Sequence, residues 1–234
     1  MTDSIASDSS ELDRAALADA LTEEYRLLGT MLATVWSASL QRVSLFLGVV
    51  SAMGVALGFV AQGGAGFGSS TFTSFALVVL PLALFLGLGT FVRSVELQRE
   101  AFVYITGLNR IRNAVAEATP ASRPYFVLPI YDDASGVFRS QGTGIRLRPP
   151  RYQLVFALVQ TQGIVALICA ALAGIIGGLA TELVAPGLAW AIGAIAFASV
   201  LVGLLTYWTR TFGEIQAAVR PLFPTPADET DAPI

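Results

Sequence analysis

The chain has no histidine and no lysine, and it carries one cysteine, Cys169. Without histidine, the usual zinc ligand sets and the common histidine-activated nucleophiles cannot be assembled within one chain. A single thiol excludes an intramolecular disulfide. Charge is scarce as well, at 13% of residues, and it is unevenly spread. Four long runs, about Val43–Ala61, Phe72–Val92, Leu154–Ala180 and Val184–Trp208, contain no Asp, Glu, Lys, Arg or His, apart from Glu182 at the turn between the last two. Ion-coupled transporters, voltage sensors and proton relays depend on ionisable groups inside the membrane, so those classes are disfavoured.

What is present is apolar. With 54% hydrophobic residues in 234 and a mean hydropathy of +0.67, the chain exceeds the apolar content of an ordinary soluble domain. Each run reaches or approaches the roughly 20 residues needed to cross a bilayer. The third is long enough to tilt. The expected fold is therefore an all-α membrane protein whose four transmembrane helices form two antiparallel hairpins, residues 43–92 and 153–208. The connector Gln62–Thr71 is rich in glycine and serine, and the turn Glu182–Pro186 is tight.

All basic residues fall on one side of these runs. Arg14, Arg26 and Arg42 precede the first, and nine arginines from Arg93 to Arg151 lie between the second and third. Arg210 and Arg220 follow the fourth. Basic loops stay in the cytoplasm, so both termini and the central segment are expected inside. The first forty residues are polar and helix-prone, unlike a cleavable signal, and the first run reads as a retained span. The exclusive use of arginine points to a GC-rich bacterial genome and hence to a bacterial cytoplasmic (inner) membrane. Trp36, Tyr152, Trp190, Tyr207 and Trp208 lie near run ends, where amphipathic rings favour the headgroup region.

Small residues form ladders in the runs. Ala166, Ala170, Gly174 and Gly178 recur every four residues in the third, as do Gly54 and Gly58 in the first, alongside Ser44, Gly48 and Ala52. Such faces permit close helix packing, either inside the bundle or between copies in a homo-oligomer. Pro81 is expected to be tolerated in the second run, with or without a kink. Gln160, Thr161 and Gln162 either line a vestibule or bond to a neighbouring helix.

Outside the runs, residues 1–10 read as a disordered tail and residues 11–42 as an amphipathic helix. Leu21, Tyr25, Leu28, Leu32, Val35 and Ser39 follow coiled-coil spacing. Leu97, Ala101, Tyr104, Leu108, Ile111 and Val115 form a second stripe in the segment 93–152. Pairing the two stripes buries both; the alternative is recruitment of a protein partner or a second copy through one of them. From Thr119 to Arg151, proline and glycine mark an irregular connector. Within it, Pro124, Tyr125, Phe126 and Val127 are expected to dock on the helices. Asp132 and Asp133 read as a solvated turn, since further carboxylates at the spacing of a calcium loop are lacking. Gly142-Thr143-Gly144 lacks the lysine and context of a phosphate loop. Arg139, Arg146, Arg148 and Arg151 suit anionic lipid headgroups, each worth about 1 kcal/mol near the surface. Nucleic acid is a poor fit for so short a segment beside a membrane. Within the tail 209–234, the acidic stretch Pro221–Ile234 is expected to be disordered.

Leu108-Asn109-Arg110-Ile111-Arg112 followed by Pro124-Tyr125-Phe126 resembles a motif pair in a group of uncharacterised actinobacterial four-helix integral membrane proteins. The resemblance implies two hydrophobic hairpins around a cytoplasmic segment and no activity. In that motif Asn109, Arg110 and Arg112 either contact a ligand or headgroup or form the polar edge of a helix seam. No catalytic constellation, cofactor motif or metal set is apparent, so an enzyme is not expected. Two classes remain. One is a non-enzymatic membrane scaffold or regulator acting through its cytoplasmic helices, and the other is a small oligomeric pore. Uncharged spans without a polar stripe favour the first.

Overall fold

The computed structural model describes residues 2–141 and 158–226, with side chains from residue 14 onward except at residues 64 and 65. The described chain is helical throughout its regular elements. Helix α1 runs Thr2–Val60, α2 Ser70–Ala118, α3 Ala134–Ser140, α4 Thr161–Glu182 and α5 Ala189–Ala218. Helices α1, α2, α4 and α5 each contain a stretch long and apolar enough to cross a membrane. Helix α1 packs on α2, and α4 on α5, at close approaches marked by glycines.

No proline interrupts α1, so the amphipathic segment and the first apolar run merge into one helix. It ends in a π-turn at Ala61–Ala65, and Gly66 reverses the chain with φ 70°, a conformation that a side chain would strain. The Ser69 hydroxyl then accepts the Phe72 amide at 3.1 Å and caps α2. Pro81 lies on an exposed face, and α2 continues through it to Ala118.

The fourth span begins later than its hydropathy indicates, and the third is broken at Gln160, after helical residues 158–159. Gln160 has extended backbone at ψ 157°, so α4 starts at Thr161, and the predicted start at Leu154 lies outside the described residues. The predicted start of the fourth run at Val184 falls in a turn. Pro186, which lacks an amide proton, opens a single 3-10 turn before α5.

The chain divides into two compact units. The first comprises residues 37–98 and 147–215, the apolar segments. Phe46 of α1, Ala83 and Phe91 of α2, Val165 and Cys169 of α4 and Trp208 of α5 contribute to its core. Gly87 permits a close approach, because a Cβ there would lie 2.6 Å from Cys169 Sγ and 2.8 Å from Phe46 Cζ. Trp208 is buried and donates its indole N–H to Gln98 Oε1 at 3.0 Å. A buried indole needs such an acceptor. Much of the outer surface is apolar, with Leu45, Phe59, Phe85, Ile195 and Val202 exposed, which is surface of the kind that lipid covers.

The second unit comprises residues 1–36, 99–146 and 216–234. Here the amphipathic stretches of α1 and α2 meet. A Cβ on Gly107 would approach Leu28 to 2.9 Å, so glycine allows this close contact. Ala101, Leu108 and Ile111 are buried as their spacing predicts, whereas Val115 is 38% exposed.

Candidate functional site

The chemistry of the second unit gathers where α2, the 131–133 segment and the chain after α5 converge. Asp132 is the centre of it, with no exposed surface. Its Oδ2 accepts the Arg110 Nε–H at 2.7 Å and the Leu222 amide at 2.9 Å, and its Oδ1 accepts the Phe223 amide at 2.8 Å. The Asp132 amide returns a bond to the Phe223 carbonyl at 3.2 Å. Arg110 also donates to the Arg220 carbonyl at 3.1 Å.

Asp133 continues the arrangement on the next residue. Its Oδ1 accepts the Gly136 amide at 2.8 Å, capping α3, and the Thr225 hydroxyl at 2.8 Å. Its Oδ2 accepts the Thr225 amide at 3.2 Å. Gly136 is required for this corner, since a Cβ there would collide with the Tyr131 carbonyl. The two aspartates thus clasp residues Arg220–Thr225 as a strap. All four carboxylate oxygens are engaged by N–H or O–H donors, so the pair works as an amide acceptor.

Burial opposes ionisation of Asp132. The Leu222 amide, the Arg110 guanidinium and the Phe223 amide outweigh it and hold the carboxyl below its ordinary value of 3.8. A charged acceptor makes the bonds to the strap stronger than neutral ones.

Beside the clasp lies a second polar knot. Asn109 is fully buried, and its Nδ2 donates to the Tyr131 carbonyl at 2.7 Å. Its Oδ1 accepts from Arg112 at 2.6 Å and from Ser140 at 3.0 Å. Arg112 is buried too; it reaches the Tyr25 hydroxyl at 3.3 Å and stands over the Tyr25 ring, 5.5 Å from its centroid. Buried polar groups need partners of this kind, and here the partners join four stretches of chain. Two buried oxygens, Asn113 Oδ1 and Ser122 Oγ, have no hydrogen-bond partner among the described residues.

These observations correct three expectations. Asp132 and Asp133 are not a solvated turn, because their carboxylates cap α3 and hold the strap. The stretch Pro221–Pro226 is not disordered, because its backbone is captured by those carboxylates rather than by apolar burial. The Pro124–Val127 patch does not dock: Tyr125 is 83% and Val127 89% exposed, with only Phe126 half-buried. The 3-10 turn Pro120–Tyr125 carries this stretch outward.

The small-residue ladders fall in different surroundings. Ala166 and Ala170 are fully buried. A Cβ on Gly174 would lie 3.1 Å from the Gly193 carbonyl oxygen, and one on Gly178 would lie 3.6 Å from that of Ala189, both in α5. Gly54 and Gly58 on α1 face open space, as does Gly48. Gln162 is buried, and Trp190 is 92% exposed at the start of α5. Arg139 lies in the last turn of α3, half-buried. Arg146, Arg148, Arg151 and the Gly142–Gly144 stretch lie outside the described residues. Among the described residues no group of three or more acidic or cysteine side chains is placed to hold a metal ion.

Sequence reasoning singled out Asn109, Arg110 and Arg112 without finding their partners. It missed Gln98, Ser140 and Thr225. A faint signal was available for Asp133, since Asp133-Ala134-Ser135-Gly136 has the acceptor and small residue of a capped helix start. No protein-family model, curated protein or solved structure matches the chain.

Proposed function

We propose that this is a multi-pass protein of a bacterial cytoplasmic membrane that acts as a non-enzymatic scaffold or regulator. In this reading both termini and the clasp-bearing unit lie in the cytoplasm, and a protein partner or a second copy engages its helices. The four candidate spans and the one-sided arginines support the membrane placement. Arg146, Arg148 and Arg151, with Arg139, then lie on the side of the anionic headgroups and attract them.

The observation that carries the role is how the second unit spends its buried polar groups. Asn109, Arg112 and Asp132 all bind other parts of the same unit, joining α1, α2, α3 and the strap. Polar groups used this way define one arrangement of helices, which suits a module that presents a fixed surface. Exposed Tyr125 and Val127 give that surface apolar side chains. The oligomeric-pore reading has less to draw on, since the candidate spans supply no charged lining.

Membrane potential, followed with a voltage-sensitive dye in bacteria induced to make the protein, separates the two. The scaffold reading expects an unchanged potential at full membrane expression. Depolarisation that is lost on replacing Gly174 by Leu would replace it with the pore.

A further inference from the structure

We propose that the inner ends of α1, α2 and α5 form an arginine collar that binds anionic phospholipid headgroups through Arg42 and Arg210. This rests on the membrane placement proposed above. Followed inward along each helix, the first charged residue beyond the apolar run is an arginine: Arg42 on α1, Arg93 on α2 and Arg210 on α5. All three belong to the first unit, and its packing sets them at one level. Phe46 of α1 faces Gly87 of α2, so Arg42, about one turn from Phe46 on a helix running the other way, comes level with Phe91. The Phe91 and Tyr207 rings lie 6.4 Å apart, and the Trp208 indole bonds Gln98 at 3.0 Å. Those two contacts set Arg210 beside the stretch of α2 that carries Arg93.

The three cations are not equivalent. Arg93 donates to Glu96 at 3.0 Å, so the α2 member is neutralised within the protein. Arg42 and Arg210 are exposed and form no ion pair with a described residue; the nearest carboxylate along α5, Glu214, lies one turn farther from the apolar run. On the other side of the layer the surface is uncharged and apolar, with Leu45 65% and Val202 62% exposed. Acyl chains cover such a surface, and the headgroups of the same lipids then fall at the arginines. A guanidinium pairs a phosphate bidentately and keeps its charge there. Tyr207, 42% exposed at this level, adds an amphipathic ring suited to the headgroup region. A zwitterionic headgroup brings an ammonium as well, and Glu96, the carboxylate nearest the layer, is already held by Arg93. The collar therefore favours a headgroup whose charge is negative only.

The test is native mass spectrometry of the purified full-length protein in detergent, titrated separately with phosphatidylglycerol, phosphatidylcholine and inorganic phosphate. The collar predicts phosphatidylglycerol bound at least about five-fold more tightly than phosphatidylcholine, the factor that one arginine near the membrane surface supplies. Arg42→Gln with Arg210→Gln should abolish the preference, and Arg42→Lys with Arg210→Lys should keep most of it. Arg14→Gln with Arg26→Gln removes the same charge from the second unit and should leave the preference intact. Equal binding of the two lipids would overturn the collar, as would a preference that survives the Arg42 and Arg210 glutamines or is lost with those at Arg14 and Arg26. Displacement of phosphatidylglycerol by inorganic phosphate would overturn it too, by making the site one for free phosphate. Carbonate extraction of membranes reads the underlying placement separately. Release of the protein would overturn both, whereas retention without a headgroup preference would overturn the collar alone.

Discussion

Arg110 and Asp132 stand 22 residues apart in sequence, and their Nε and Oδ2 atoms meet at 2.7 Å with the carboxylate fully buried and the guanidinium partly exposed. The pair links α2 to the segment before α3, and each partner also binds the strap. Its consequences can be separated experimentally.

Asp132→Ala should free the strap while leaving the apolar unit folded. It removes the acceptor of the Leu222 and Phe223 amides, and bonds to a charged group contribute about 1.5–3 kcal/mol each. Hydrogen exchange at those two amides should accelerate at least about ten-fold, with protection in α4 unchanged. Arg110→Ala should have a smaller effect in the same direction, since its side chain is 37% exposed.

The clasp has a defined pH window. Because the native pKa of Asp132 lies below its ordinary 3.8, its contribution is fully present above that value and is lost as pH falls through the lowered one. Protease sensitivity of the strap should therefore stay flat from neutrality down to about pH 4 and rise only in stronger acid. Asp132→Asn should start from a looser strap and lose this acid response.

Asn109→Ala should destabilise the second unit more than a surface change would. It removes the Asn109 donor to the Tyr131 carbonyl and the acceptor shared by Arg112 and Ser140, whose donors are then left short of a partner. A buried group left unsatisfied costs about 1–3 kcal/mol. Asn109→Asp should not rescue it, because a carboxylate cannot donate to Tyr131. Thermal unfolding of the purified protein in detergent checks both variants.

The glycines should divide by location. Gly87→Ala drives a methyl into Cys169 and Phe46, and Gly193→Ala places one 2.9 Å from the Gly174 carbonyl oxygen. Overpacking of this kind costs about 1–3 kcal/mol. Gly54→Ala and Gly58→Ala meet nothing within 4 Å and should be neutral or stabilising by up to about 1 kcal/mol. Loss of self-association in the latter two without loss of folding would mark that face as a contact between copies.

The sequence made the helices legible because their signals are local. The Leu97–Ile111 stripe, the glycine-rich reversal at Gly66 and the apolar runs each lie within one element. The clasp was illegible for the opposite reason. Asp132 meets Arg110 from 22 residues away and Leu222 from 90, so no window of sequence holds both sides. Pro221–Pro226 read as disordered because it has little to bury, whereas its order comes from amides that every segment possesses. The acceptor of Trp208 was illegible for the same reason, since Gln98 lies 110 residues earlier.

Orientation across the membrane is the point on which the proposed role depends most directly. A single cysteine at Gly68, between α1 and α2, and another at Ala134, beside the clasp, can each be tested in intact cells with a membrane-impermeant maleimide. Native Cys169 is buried and serves as the unlabelled background. Gly68→Cys should label from outside, and Ala134→Cys only after the membrane is permeabilised. Labelling of Ala134→Cys in intact cells would contradict this orientation.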